Sequence, residues 1–518
     1  MRPQLVVLDF GSQYTQLIAR KVREQHVYAT IEPYDVEPEA LKARNVGALI
    51  LSGGPASVYA EGAPRADPAI FELGIPVLGI CYGLQYVVAT LGGKVAPSDK
   101  REYGPAILDI KKGHRLFEGL PHPFPLFAAK INVWMSHGDR VEQLPPGFDV
   151  LATSANSRYA AIGDEARRIY GLQFHPEVSH TEKGTLILKN FVEKIACLGS
   201  PWRMASFIEE KAAEIKERVG DAHVVLALSG GVDSSVLAAL LHRAVGDRVH
   251  PILVDNGLMR EGEVEEVEHV FGGELGMPLA VARAGELFLN KLKGVADPEE
   301  KRRIIGHTFI EVFGAEAERI GGAKFLAQGT LYPDRIESRS VKGPSDTIKT
   351  HHNVGGLPDE LPFELLEPLA DLFKDEVRAV GRELGLPEKV VGRHPFPGPG
   401  LAVRCIGEVT PEKLAMLRRA DAILREEITE AGVYDDIAQA LAVLLPVKSV
   451  GVMGDERTYE NVCALRCVTT EDFMTADWYR MCHKLMAKIS SRITNEVAGV
   501  NRVVYDVTSK PPATVEWE

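Results

Sequence analysis

Positive charge, cysteine and long apolar runs are all scarce in this chain. Its 59 Lys and Arg face 72 Asp and Glu, a net charge of −13 at pH 7. That balance argues against non-specific nucleic-acid binding as the main task. Six cysteines among 518 residues make no disulfide framework. Cys463, Cys467 and the Cys482-His483 pair lack the short paired spacings of common zinc sites. No stretch of about 18 apolar residues occurs, and the opening MRPQLVVLDFGSQ lacks the build of a secretory signal. Neither a membrane nor nucleic acid is expected as a partner, and the cytoplasm is the expected location.

What is present is a globular composition, 45% hydrophobic and 25% charged, in a chain long enough for about three domains. Its organising stretch is residues 225–241, VLALSGGVDSSVLAALL. A buried strand runs into a Ser-Gly-Gly turn and then a helix whose apolar residues Val236, Leu237, Leu240 and Leu241 recur at helical spacing. Gly230 and Gly231 can take backbone angles closed to other residues, so successive amides converge at a helix N-terminus. Free N–H groups and the helix dipole favour an anion there. The turn reads as a phosphate cradle made of Ser229, Gly230, Gly231, Val232, Asp233, Ser234 and Ser235. It is not a Walker A loop, because no Gly-Lys-Ser/Thr follows the glycines. Two further strands, 249–254 and 324–327, end in Asp255-Asn256-Gly257 and Gln328-Gly329-Thr330. Ligands gather at such strand ends in open α/β sheets.

The first 200 residues alternate short apolar strands with helical runs, a doubly wound α/β pattern. Gly79-Ile80-Cys81-Tyr82-Gly83 has the form Gly-x-nucleophile-x-Gly, in which small flanks permit a sharp strand-to-helix turn. At the positive end of a helix a thiol gains thiolate character, although a lone cysteine near a strand end is more often structural. Downstream, Leu172-Gln173-Phe174-His175-Pro176-Glu177 reads as a strand end, where residues two apart share a face. Glu177 would orient the His175 ring, and His175 would activate the thiol and protonate a leaving amine. His137, in Ser136-His137-Gly138-Asp139, is the rival base.

On GICYG and FHPE, residues 3–195 resemble the class I glutamine amidotransferase domains. The resemblance implies that Cys81 forms a glutamyl thioester and releases ammonia. It also implies that the backbone N–H groups of Gly54 and Tyr82 form the oxyanion hole, that Gln85 helps hold glutamine, and that the 136–139 stretch lines the glutamine site. The Ser229–Ser235 loop resembles the pyrophosphate loop of the ATP pyrophosphatases, which split ATP into AMP and pyrophosphate. The VDNG and QGTLYPD stretches recur in that family, although Arg335 stands where an apolar residue is expected.

A Gly-Pro break at 199–201 marks a domain boundary. Residues 332–356 show no convincing apolar period and read as a phosphate-covering lid or a solvated linker. Beyond them, HPFPGPGL (394–401) is glycine-spaced, suited to a backbone held close to a ligand. Helical and strand-like runs then make a small α+β domain, and the chain closes on KPPATVEWE. A C-terminal tail is loose by default, although two prolines and a Trp make this one less typical.

The three parts in this order, with HPFPGPGLAVR and the tail, resemble the glutamine-hydrolysing GMP synthetase family over essentially the whole chain. The fold expected is two doubly wound α/β domains, a glutaminase (1–198) and an ATP pyrophosphatase (199–393), then a small α+β dimerisation domain (394–518). The resemblance implies that XMP is adenylated by ATP with Mg²⁺ and then aminated to GMP by ammonia from glutamine. Asp233 is implied as the Mg²⁺ ligand. Lys374, otherwise an ordinary exposed helix lysine, becomes an ATP-phosphate contact. Arg303, Lys510 and Glu516 become XMP contacts, and the partner a second copy of the chain. Two alternatives stay open: a glutamine-dependent synthetase that adenylates a carboxylate, and a non-catalytic nucleotide-binding regulator.

Overall fold

A computed structural model of the chain describes residues 4–111, 113–120, 129–199, 202–339, 363–453, 456–470, 473 and 475–518. Among the described residues, one compact unit comprises 4–207 with 336–339, and the other 208–335 with the residues from 363 onward.

The first unit is built on a nine-stranded sheet. Its strands are β1 (Leu5–Asp9), β2 (Ala29–Pro33), β3 (Ala48–Leu51), β4 (Val77–Ile80), β5 (Lys94–Ile110), β6 (Ala129–Gln143), β7 (Asp149–Ser154), β8 (Ala161–Asp164) and β9 (Ile169–Leu172). They lie in the order β2-β1-β3-β4-β9-β8-β7-β5-β6. The five from β2 to β9 are parallel, and the rest antiparallel. Parallel strands covered on both faces read as continuous apolar runs, and β3 and β4 are buried throughout. Register Ile80↔Leu172 sets the carboxyl ends of β4 and β9 side by side, which brings Cys81 next to the segment that carries His175.

The second unit contains β10 (His223–Ala227), β11 (Val249–Asp255), β12 (Ala280–Arg283), β13 (Ala323–Ala327) and β14 (Glu364–Leu366). They form a parallel sheet in the order β12-β11-β10-β13-β14. The strand order reverses between β10 and β13, and crevices form at such switch points. The loop after β10 is the Ser229–Ser235 turn. A second sheet follows, of β15 (Gln439–Met453), β16 (Glu456–Thr469), β17 (Asp477–Trp478) and β18 (Val500–Tyr505). The helices Pro411–Glu430 and His483–Glu496 accompany it. One apolar core joins the two sheets: Val225 and Ile252 belong to the same packed cluster as Leu401, Leu417, Leu444 and Cys463.

Three local expectations need correction. Residues 332–339 are not loop but the helix Tyr332–Arg339, opened by Leu331 N donating to Asp334 Oδ2 at 2.9 Å. Proline and an acidic residue in the first turn are start signals that the polar composition hid. The remainder of the lid expectation, 340–356, lies outside the described residues. Gly400, at φ +63, serves a close approach to protein backbone, since a Cβ there would meet the Leu258 carbonyl and Leu401 N donates to that same oxygen at 2.8 Å. The tail is anchored. Arg466, whose side chain is fully buried, donates to the carbonyls of Thr508, Thr514 and Val515 and pairs with Asp506 at 2.8 Å.

Candidate functional sites

Cys81 sits between β4 and the helix Tyr82–Thr90 with φ +52 and ψ −103, a conformation few side chains adopt. The flanking glycines make that turn possible. A Cβ on Gly79 would collide with Gly83, and one on Gly83 would collide with the Leu51 carbonyl. Cys81 N donates to Leu172 O at 2.7 Å, and Gly83 N to Ser52 O at 3.0 Å. Tyr82 occupies the first position of the helix, where an amide has no intrahelical acceptor.

His175 and Glu177 are both at most 3% exposed, and His175 Nδ1 lies 2.7 Å from Glu177 Oε1. They stand past the end of β9, in a bend and turn around Pro176. The turn, not strand alternation, aligns them. Thr181 Oγ1 closes it by donating to His175 O at 2.6 Å. Burial works against a charged ring, but Glu177 and a hydrogen bond with Cys81 outweigh it and raise the His175 pKa well above its ordinary value. The line Cys81–His175–Glu177 therefore favours a proton on the ring, beside the nucleophile.

The wall of this site comes from β6. Cys81 Sγ lies 3.4 Å from Ser136 O, and Gln173 Nε2 3.9 Å from Cys81 Sγ. Gln85 Nε2 and His137 Nδ1 both reach Asp139 O, at 3.2 and 2.9 Å, and Tyr59 OH donates to Asp139 Oδ1 at 2.5 Å. His137 is buried against Glu102 at 3.1 Å, and burial lowers its pKa in spite of that partner. It braces the wall, while His175 bonds the thiol. A Cβ on Gly54 would strike the Phe10 carbonyl, and one on Gly53 would crowd His175 Cε1, so the backbone here must be bare. Tyr59 escapes sequence reasoning because it belongs to no local pattern, and Gln173, although it stands in the stretch that carries His175, has no residue type that announces contact with the thiol.

In the second unit Gly230 takes φ +71, and the helix Val232–Val245 begins directly after Gly231. Ser229 and Ser234 hold the loop shut: Oγ to Oγ is 3.0 Å, Gly231 N donates to Ser229 Oγ at 3.3 Å, and Ser234 Oγ to Gly231 O at 3.2 Å. Ser235 is fully buried with an enclosed hydroxyl, so what it brings to the loop is its amide, bonded to Gly231 O at 3.1 Å. Asp233 receives Lys374 Nζ at 2.6 Å on both oxygens. That lysine opens the helix Lys374–Glu383. Gly329, after β13, packs its Cα side toward Asp233. These groups present amides, hydroxyls, one cation and one carboxylate at a switch point, the donor set of a phosphate site.

Comparison with known proteins settles the kinship. The family described as glutamine amidotransferase class-I matches residues 6–195, NAD synthase matches 203–283, and the GMP synthase C-terminal domain matches 426–517. A GMP synthase [glutamine-hydrolyzing] of Thermomicrobium roseum is 58% identical over 99% of this chain and 96% of its own. Those of Nitratiruptor sp. (58%, covering 99% of each chain) and Aquifex aeolicus (57%, covering all of both) are comparable. The chain belongs to the glutamine-hydrolysing GMP synthase family. The order of the three matched segments agrees with the expected architecture of α/β, α/β and α+β parts.

Within this GMP synthase family member, the residues expected to contact XMP each have protein partners. Arg303 is exposed and pairs with Glu300 on its own helix, Pro298–Ile320. Lys510 Nζ donates to Phe473 O at 2.6 Å. Glu516 accepts a two-pronged contact from the buried Arg404, at 3.1 and 2.8 Å, and a third from Gln439 at 2.7 Å. Two residues beside Arg303 reach the tail instead. Lys301 Nζ, fully buried, lies 2.5 Å from Glu518 Oε2, and Arg302 donates to Glu518 O at 2.5 Å.

Proposed function

We propose that the chain makes GMP from XMP, with glutamine as nitrogen donor and ATP as activator. The observation that carries this reading is the pairing, in one GMP synthase family chain, of a buried Cys81–His175–Glu177 line with a Ser-Gly-Gly phosphate loop. Cys81, its proton already held on His175, attacks the glutamine amide, and His175 returns that proton to the leaving amine, giving a glutamyl thioester and ammonia. The amides of Gly54 and Tyr82 receive the developing oxyanion, and Gln85 helps hold glutamine. Water then releases glutamate. At the second site the amides of the Ser229–Ser235 loop and Lys374 hold the ATP phosphates. The purine 2-oxygen of XMP attacks the α-phosphorus, and pyrophosphate leaves. Ammonia then displaces AMP and GMP results.

A magnesium ion suits this donor set. Among the described residues no group of three or more His, Cys, Asp or Glu could hold a metal alone. Asp233 offers a single carboxylate beside the loop, which fits an ion that takes one protein oxygen and completes its shell with phosphates and water. When bound, the ion supplies charge neutralisation to the pyrophosphate.

We assign Arg303, Lys510 and Glu516 to XMP, and keep a functional division at 1–198, 199–393 and 394–518. The last part is proposed as the homodimer contact: Val450 and Tyr459, directly opposed on β15 and β16, and Val452 are large apolar side chains left exposed. The cytoplasm is the proposed location, since all six cysteines are unpaired, as in a reducing compartment. No helix among the described residues is long and apolar enough to cross a membrane.

Turnover of purified protein with ATP, Mg²⁺, glutamine and XMP tests the reading. AMP, pyrophosphate and GMP should form in equal amounts, and none without XMP. ATP cleavage with a carboxylic acid but not with XMP would transfer the protein to another glutamine-dependent synthetase class.

A further inference from the structure

We propose that Arg393 is a positioning residue of the phosphate loop, setting the direction of the Gly230–Gly231 peptide. Its Nη1 donates to Gly230 O at 2.9 Å from 163 residues away in sequence. Its Nη2 pairs with Glu263 Oε1. Neither side chain is free to wander: Arg393 is 12% exposed and Glu263 2%. The other Glu263 oxygen accepts Arg260 N at 2.8 Å, and the Arg393 carbonyl accepts Arg378 Nη2 at 3.2 Å. Glu263 thus holds the guanidinium, and Arg378 the backbone that carries it, before the side chain touches the loop.

A peptide flanked by two glycines has the fewest steric barriers to turning over as a unit. In a trans peptide the C=O and the following N–H point opposite ways. Holding Gly230 O on the Arg393 side therefore aims Gly231 N–H at the other side, where Ser229 Oγ lies 3.3 Å away. On the proposed reading of the loop, that is the side on which the phosphates bind. Were the peptide to turn over, a carbonyl would face the anion instead of an amide. Because Glu263 already matches the charge of Arg393, what the arginine supplies is direction, not attraction. Val267 closes the remaining space, as a Cβ on Gly230 would meet its Cγ2 at 2.9 Å and Arg393 Nη1 at 3.4 Å.

This inference rests on the proposed reading of the loop as the ATP phosphate site, so the test reads nucleotide binding and scaffold separately. Binding of α,β-methylene-ATP with Mg²⁺, and of XMP, is measured calorimetrically on the full-length wild type, Arg393→Met, Arg393→Lys and Glu263→Gln, with thermal melting of each. Losing one charge-assisted hydrogen bond costs about tenfold in affinity. Arg393→Met should weaken the analogue by about that factor with XMP affinity within about twofold, and Arg393→Lys, which still donates to Gly230 O, should recover most of it. Glu263→Gln, which keeps the shape and loosens the brace, should fall between and carries the test should Arg393→Met not fold. Unchanged analogue affinity in folded variants, or an equal loss for XMP, would overturn the positioning role alone. Failure of the wild type to bind the analogue would overturn the loop reading itself, and the positioning role with it.

Discussion

Lys374 Nζ lies 2.6 Å from both carboxylate oxygens of Asp233, although 141 residues separate the two. Their side chains are 46% and 30% exposed, so solvent screens the pair and it adds little to stability. On the proposed reading its use is to hold a cation and an anion beside the phosphate loop. Lys374→Met should raise the KM for ATP by about tenfold or more in ammonia-dependent GMP formation, with the melting temperature unchanged. An unchanged KM would leave Lys374 a surface lysine.

Asp233→Asn keeps the shape and removes the charge. AMP formation should be lost with glutamine and with ammonium salts alike, because activation precedes either nitrogen source. Chelation of Mg²⁺ should abolish AMP formation in the wild type, and added Mg²⁺ should restore it. Near-normal turnover of the variant at saturating Mg²⁺ would rule out its part in metal binding.

Cys81→Ala should abolish glutamine use and retain GMP formation from ammonium salts. The thiol lies in the first unit and the phosphate loop in the second, each with its own sheet. Loss of both activities in a folded variant would refute two separate sites.

The charge state of His175 gives a pH test. Burial opposes the imidazolium, and Glu177 with Cys81 overcomes it, so the folded pKa stands well above the ordinary value. The charged ring is therefore favoured to higher pH than in a free imidazole and is lost as the pH rises through that raised pKa. Glu177→Gln removes the leading upward influence. The alkaline limb of glutamine hydrolysis should move to lower pH, and its rate should fall about a hundredfold or more. An unmoved limb would mean that Glu177 orients the ring without tuning it.

What was legible in the sequence is what lies close together in it. GICYG and SGGVDSS each hold strand, turn and helix start within a few residues, so turn chemistry alone announces them. His175 and Glu177 were found as a pair, but for the wrong geometric reason, since they bond across a turn beyond β9. The helix Tyr332–Arg339 was hidden by a polar run without an apolar stripe. The glycine spacing of HPFPGPGL suits a backbone near a ligand, but at Gly400 the close neighbour is Leu258. The buried arginines escaped altogether. Arg393, Arg404 and Arg466 meet their partners over separations of 163, 112 and about 40–49 residues, and although Arg404 closes the HPFPGPGLAVR stretch, nothing local says what any of them meets.

Arg466 makes that last point testable. Its guanidinium is wholly buried on β16 and ties together Asp506, Thr508, Thr514 and Val515. Removing one partner of a buried ion pair leaves the other uncompensated, at a cost of about 3–5 kcal/mol. Three carbonyls of the tail lose their donor at the same time, so the damage should be local as well as global. Arg466→Ala should melt well below the wild type, and limited proteolysis should cut it first within 508–518. Because Glu516 lies in that segment, the XMP affinity of the surviving folded protein should fall while glutamine hydrolysis at Cys81 persists. A variant that melts lower yet keeps its tail protected and its XMP affinity intact would show that Arg404 and Lys301 anchor the segment without Arg466.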